Sequence, residues 1–321
     1  MSARRRIALS VAAALLPAVA AAQSFPSKPI RIVVPYQAGG TSEMMARQVA
    51  DHLQQVLKQP VVIENRPGGG TTIGATSVAQ APADGHSLFV NASSFLINAQ
   101  LMKGLPYDAG KDFTPLTLAA SNPHLLVGHT GLGTPTFKEF LPLAKQKGAS
   151  MTYASFGNGS SGHLAFELLK KTYDFPMTHV PYKGVPQAMT DVMGGQVNVM
   201  LTDLPPGAVQ VKAGKMLGLA IAAEKRSPTV PDVGTFQELT GTRFVSRSWF
   251  GFLVRSGTPP EIVKTLQAEI VKALQNPGVK EKLNAAGMDT IASTQEEFIA
   301  FMKSESERFA DAIRFSGTKI D

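Results

Sequence analysis

With 321 residues, 44% hydrophobic and 17% charged, the chain is too apolar and too evenly mixed for a disordered polymer and long enough for about two domains. It has no Cys, which excludes a disulfide scaffold, a thiolate zinc site, an iron–sulfur cluster and a Cys nucleophile. The net charge is +7, but three of those charges sit at Arg4, Arg5 and Arg6 and the rest are scattered, so no nucleic-acid partner is expected.

The three arginines precede an uncharged run from Ile7 to Ala22 that contains Pro17 and closes on Ala20-Ala21-Ala22. That order predicts a signal peptide over 1–22, cleaved near 20–22, because the run is too short and too Ala-rich for a membrane anchor. No lipobox Cys follows, so the mature chain is expected to be free in a periplasm.

From Pro29 onward short β-branched runs alternate with helical stretches, the signature of an α/β fold. Ile30–Val34 reads as a strand, and Met45, Val49, Leu53 and Val56 share one face of the helix that follows. Val61–Ile63 is a second strand, Ile73–Ala81 a helix and Ser87–Asn91 a third strand. Leu116–Ala120 and Leu125–Gly128 read as two further strands. A second round begins with a helix near Phe137–Lys147, a strand at Met151–Ser155 and a helix over His163–Thr172. It continues through Thr178–Pro181, a helix near Gln187–Met193, and strands at Val197–Leu201 and Leu217–Ala222. After the strand Phe250–Val254, Thr258-Pro259-Pro260-Glu261 reads as a capping box ahead of the stripe Ile262, Leu266, Ile270 and Leu274. Ser293-Thr294-Gln295-Glu296 is expected to cap a last helix. These closing helices carry no site residues, so they are expected to pack back onto the first domain. That makes domain 1 discontinuous, 23–123 plus 246–321, around a domain 2 of 124–245, with two crossing segments as in a hinge.

Gly157-Asn158-Gly159-Ser160-Ser161-Gly162 spells G-x-G-x-x-G between a strand and a helix. A dinucleotide site also needs an acidic residue about 20 positions on, where the chain reads His179-Val180-Pro181-Tyr182-Lys183. What survives is a helix N-terminus whose free N–H groups attract an anion. Tyr36-Gln37-Ala38-Gly39-Gly40-Thr41-Ser42 repeats the device in the first domain. Two such cradles suit a ligand with carboxylates at both ends. Ser93 and Ser94 follow one strand, and Asp203, after another, either caps the turn before Pro205-Pro206 or meets ligand or water. Gly68-Gly69-Gly70 lacks the Lys and Ser/Thr of a phosphate loop and is expected to let Thr71 and Thr72 cap the next helix. No nucleophile elbow is present at Ser160 or Ser161, and His52, His124, His129 and His163 have no metal-ligand spacing, so neither cofactor nor metal is expected. Trp249 reads as core.

Together these residues resemble the Bug-type, or tripartite tricarboxylate transporter substrate-binding, family of periplasmic proteins. The likeness runs through Val34-Pro35-Tyr36-Gln37-Ala38-Gly39-Gly40, Glu64-Asn65-Arg66-Pro67-Gly68, Asp84-Gly85-His86-Ser87-Leu88, His179-Val180-Pro181-Tyr182-Lys183-Gly184, Pro231-Asp232-Val233-Gly234 and Trp249-Phe250-Gly251. It implies an α/β fold of type II-like wiring, two lobes each with a mixed β-sheet flanked by helices, joined by two hinge crossings. It further implies a non-enzymatic, monomeric receptor that carries a small carboxylate (a di- or tricarboxylate, an amino acid or an aromatic acid) to the membrane subunits of a tripartite transporter. The ligand residues it implies are Tyr36, Ala38, Gly39, Gly40, Thr41 and Ser42 at one end. At the other are Asn158, Gly159, Ser160, Ser161 and Tyr182, with Ser93, Ser94 and Asp203 at strand ends. Glu43 departs from the usual Asp, which is expected to shift the first helical turn or its waters. The alternatives are a sensor module presenting ligand to a receptor and a secreted serine hydrolase using Ser160 or Ser161 with His163.

Overall fold

The computed structural model describes residues 25–319; the expected signal peptide lies outside them. In chain order the first elements are β1 (Ile30–Val34), α1 (Thr41–Leu57), β2 (Val61–Asn65), α2 (Thr72–Ala79), β3 (Ser87–Ala92), α3 (Ser93–Leu101) and β4 (Phe113–His129). Met45, Val49 and Leu53 are fully buried on one face of α1, while Val56 in the last turn is left partly exposed. The helix α3 is absent from the pattern read off the sequence, because Ser93 to Asn98 are all buried and a helix enclosed on every side has no amphipathic period to read. β4 is one strand of 17 residues, not two. Pro123 sits where it leaves its first partner for the next, a place where a missing N–H costs little.

The second lobe comprises α4 (Phe137–Lys147), β5 (Thr152–Ser155), α5 (Ser161–Tyr173), β6 (Thr178–Pro181), α6 (Val185–Met193), β7 (Val199–Asp203), α7 (Leu204–Lys212), β8 (Met216–Ile221) and α8 (Phe236–Thr240). The helix α7 went unread because Pro205 and Pro206 look like a turn; they occupy its first turn, where proline is tolerated. The chain closes with β9 (Arg247–Arg255), α9 (Pro260–Gln275), α10 (Pro277–Ala285), β10 (Asp289–Thr290) and α11 (Gln295–Ser316).

In one sheet β1 pairs in parallel with β2 and β3, β3 runs antiparallel to β9, and β9 to the first half of β4. The second half of β4 enters the other sheet, antiparallel to β7 and β8, where β5 lies parallel to β6 and β7. The two strands that cross between lobes, β4 and β9, are thus bonded to each other. Separate apolar cores lie on either side: Ile32, Leu88 and Phe252 in one, Phe137, Phe166 and Leu201 in the other. α9 packs on α1, and α11 packs on β4, α3 and also α5, sharing a cluster in which Leu164 of α5 meets Trp249 and Phe298.

Two expected caps form differently. The Thr258 hydroxyl donates to the Arg255 carbonyl at 2.8 Å and leaves α9 without a side-chain cap; Pro260 at the start has no N–H to satisfy. For α11 the box is Thr294 with Glu297, one residue later than read, while the Ser293 hydroxyl accepts from Leu118 N–H at 3.0 Å.

Candidate functional site

The segment Tyr36–Gly40 carries β1 into α1. Gly39 is left-handed (φ 87°) and Gly40 is the N-cap, with no side chain capping the helix. Glu43 supplies the closure instead. Its carboxylate accepts from Gly39 N–H at 2.8 Å, takes the Asn65 amide at 3.4 Å and pairs with Arg47. Its extra methylene is thus absorbed in a bond back to the loop, which holds the first turn. Glu43→Ala is expected to lower stability by about 1–3 kcal/mol, because it removes the charge-assisted hydrogen bonds that tie the loop and Asn65 to the first turn; urea melts check this. The Tyr36 hydroxyl shares a 2.5 Å hydrogen bond with Ser94. Burial, with Asp203 nearby, raises the phenol well above its ordinary value, so it stays neutral.

In the second lobe Gly157 (φ 142°) and Gly159 (φ 65°) turn β5 into α5. The Ser160 hydroxyl accepts from His163 N–H at 3.2 Å as the N-cap, and His163 Nδ1 accepts from Gly159 N–H at 3.2 Å. His179 is hydrogen-bonded to the Ser155 hydroxyl at 2.7 Å, and that hydroxyl holds both backbone groups of Gly157. The two imidazoles stack at 3.9 Å, with Tyr153 and Phe166 continuing the pile. The cradle therefore rests on two neutral histidines.

Burial lowers His163 to about 4, opposed by Glu167 and aided by Lys170, and lowers His179 to about 3, aided by His163 and Lys170. The ordinary value is 6.5, so the unfolded chain takes protons first. This contribution is complete above about 6.5 and drains as pH falls towards 4. Melting temperatures across pH 7 to 4 are expected to fall through that window, and less steeply in a His163→Asn, His179→Asn double variant.

The lobes meet over these cradles. A Cβ at Gly184 would stand 3.0 Å from that of Gln37, and one at Gly70 would stand 3.2 Å from the Asn158 carbonyl oxygen. Between them lies a cavity of about 330 Å³, within the range of small-molecule sites. Tyr36, Ser94, Asn158, Ser160 and Tyr182 line it, together with the exposed Lys183. A smaller inner chamber of about 20 Å³ is lined by Tyr36, Gly40, Ser42, Ser161, Asp203 and Ser248. Tyr36 and Phe156 line both. Among the described residues Lys183 is the one cation lining either space.

Of the residues expected at the site, Ala38, Gly39, Thr41, Ser93 and Gly159 line neither space. Gly159 N–H is taken by His163, and the Ser93 hydroxyl accepts from Trp249 N–H at 3.2 Å. The Tyr182 hydroxyl donates to Asp191 at 2.6 Å and so is committed within its own lobe. Gly68 to Thr71 and Asn98 were missed. Thr71 is left-handed (φ 82°) and holds the N-cap position of α2 without a side-chain cap; its loop lines the cavity, and the Asn98 amide donates to Gly70 O at 2.5 Å. His124 was missed too. It is fully buried and joins both crossings, with Nδ1 on Ser246 at 2.9 Å and Nε2 on Ser248 at 3.0 Å and Ser161 at 3.2 Å.

These contacts dispose of the hydrolase reading. Ser160 and His163 are each committed to backbone N–H groups. Ser161 does meet His124, but Asp203 stands 3.7 Å from the same Nε2, not across the ring where it would orient a general base. Gly162 has a packing reason instead, since a Cβ there would lie 2.6 Å from the Leu201 carbonyl oxygen.

Residues 45–317 match the family model described as Tripartite tricarboxylate transporter family receptor. Three solved structures superpose closely. The periplasmic binding protein BugD is 28% identical with a TM-score of 0.87, over 92% of this chain and 99% of that one. Rpa4515 of R. palustris with adipate is 29% identical, TM-score 0.89, over 92% and 99%. MatC from Rhodopseudomonas palustris with bound malate is 30% identical, TM-score 0.85, over 90% and 100%. The chain belongs to the tripartite tricarboxylate transporter receptor family and is a periplasmic solute-binding protein, not an enzyme.

Proposed function

We propose that the mature chain, exported after cleavage near residues 20–22, closes its lobes about β4 and β9 on a small carboxylate and delivers it to the membrane subunits of a tripartite transporter. One observation carries this: the 330 Å³ cavity lies where both lobes present helix N-termini, with Lys183 among its lining residues. Adipate and malate in the related structures are acids of a size that such a space accommodates. Tyr36, Ser94, Asn158 and Ser160 would meet the solute, while the remaining loop residues hold the cradles in shape. In a thermal-shift series of mono-, di- and tricarboxylates, amino acids and aromatic acids, the bound solute should stabilise the fold by about 2.7 kcal/mol at 100 times its Kd. No shift with any acid would remove the proposal.

A further inference from the structure

Successive residues of the crossing strand β4 face opposite sides. His124 turns toward Ser161 and Ser248, which line the inner chamber, whereas Pro123 lines a crevice of about 200 Å³ behind the crossings. The end of β7 repeats the division: Asp203 lines the chamber, and Leu204, the next residue, lines the crevice. The chamber shares Tyr36 and Phe156 with the larger cavity, so both lie on one face of the hinge and the crevice on the other.

Each lobe supplies one wall of the crevice. Leu204, Ala223 and Thr229 come from the second lobe, and Asn284, in the last turn of α10, and Gly287, just past it, from the first. At one point the walls already touch. Gly287 is left-handed (φ 92°), and a Cβ there would stand 2.7 Å from Leu204 Cδ2 and 3.3 Å from the Thr229 hydroxyl oxygen. Elsewhere the walls stand apart, while on the other face the lobes meet at Gly184 with Gln37 and at Gly70 with Asn158. A rotation about β4 and β9 that widens the cavity narrows the crevice, because the two lie on opposite sides of the axis. Packed walls do not interpenetrate, so the space left in the crevice limits how far the lobes open. Resting on closure about β4 and β9, we infer that this rear crevice sets the balance between open and closed chains, with Gly287 against Leu204 as the bearing on which the lobes turn. Opening consumes the crevice, and a side chain that fills it holds the lobes closed with no solute present.

The test needs no ligand. Asn284 is exposed and Ala223 half-buried, and neither lines the cavity or the chamber. Asn284→Trp and Ala223→Leu fill the crevice from its two walls, and Asn284→Ala leaves it empty. Each is placed in a chain carrying spin labels at Ile73→Cys and Gln187→Cys, one on each lobe, and the separation is measured by pulsed dipolar spectroscopy without solute, with thermal melts confirming that each variant folds. The native chain is expected to show a long, open distance beside the short one. Both filling variants are expected to raise the ratio of short to long at least about tenfold, and Asn284→Ala to leave it as in the native chain. An open population unchanged in either folded filling variant, or a shift equally large with alanine, overturns the inference and leaves the carboxylate-receptor reading standing. A native chain showing the short distance alone, with and without the acids of the thermal-shift series, overturns the closure reading and the inference with it.

Discussion

Gly184→Leu is expected to cost the chain at least about a hundredfold in ligand affinity, on the order of 2.7 kcal/mol, without loss of stability in the unliganded protein. The backbone at Gly184 is nearly fully extended (φ 170°), which leucine adopts without strain. The new side chain would instead occupy the space held by Gln37 of the other lobe, whose Cβ lies 3.0 Å from where the first added atom would stand. The lobes would be propped apart, and a receptor whose closed form is rarely populated binds with correspondingly reduced apparent affinity. Paired calorimetry and thermal melts separate the two effects. A fall in melting temperature matching the loss of affinity would mean that Gly184 serves the fold rather than closure.

Trp249→Ala is expected to have the largest effect on stability. The indole is fully buried, edge-on to Phe298 and Phe301 of α11, and its Nε1–H donates to Glu305 at 2.8 Å. Glu305 is itself buried and ion-paired to Arg308. Removing the ring opens a cavity where β9 meets α11, at roughly 3–5 kcal/mol, and takes one donor from a buried carboxylate. The melting temperature should drop by about 10 °C at this size. Trp249→Phe keeps most of the packing and should cost about 1–2 kcal/mol, chiefly the lost hydrogen bond.

Much of the fold was legible because its cues are local. The run Ile30–Val34 and the segment Thr178–Pro181 are strands with the expected bounds, and the glycines and serines of 157–161 do mark a helix N-terminus at the cavity. What escaped depends on residues distant in sequence. His124 finds its partners 37 and 124 residues away, so no spacing could assemble that cluster. The Gly68–Thr71 loop earns its place only through the approach of Asn158 from the other lobe. α3 escaped for a different reason, since uniform burial erases the periodicity by which a helix is read.

The central claim, closure of two lobes on a carboxylate, is tested most directly by distance. The chain has no native Cys, so Ile73→Cys on α2 and Gln187→Cys on α6, both at exposed positions on opposite lobes, accept a pair of spin labels without interference. Their separation would be measured by pulsed dipolar spectroscopy without ligand and with the acid that most raises the melting temperature. A shorter and narrower distribution at saturation is the expected result. A distribution unchanged while calorimetry reports full occupancy would contradict closure.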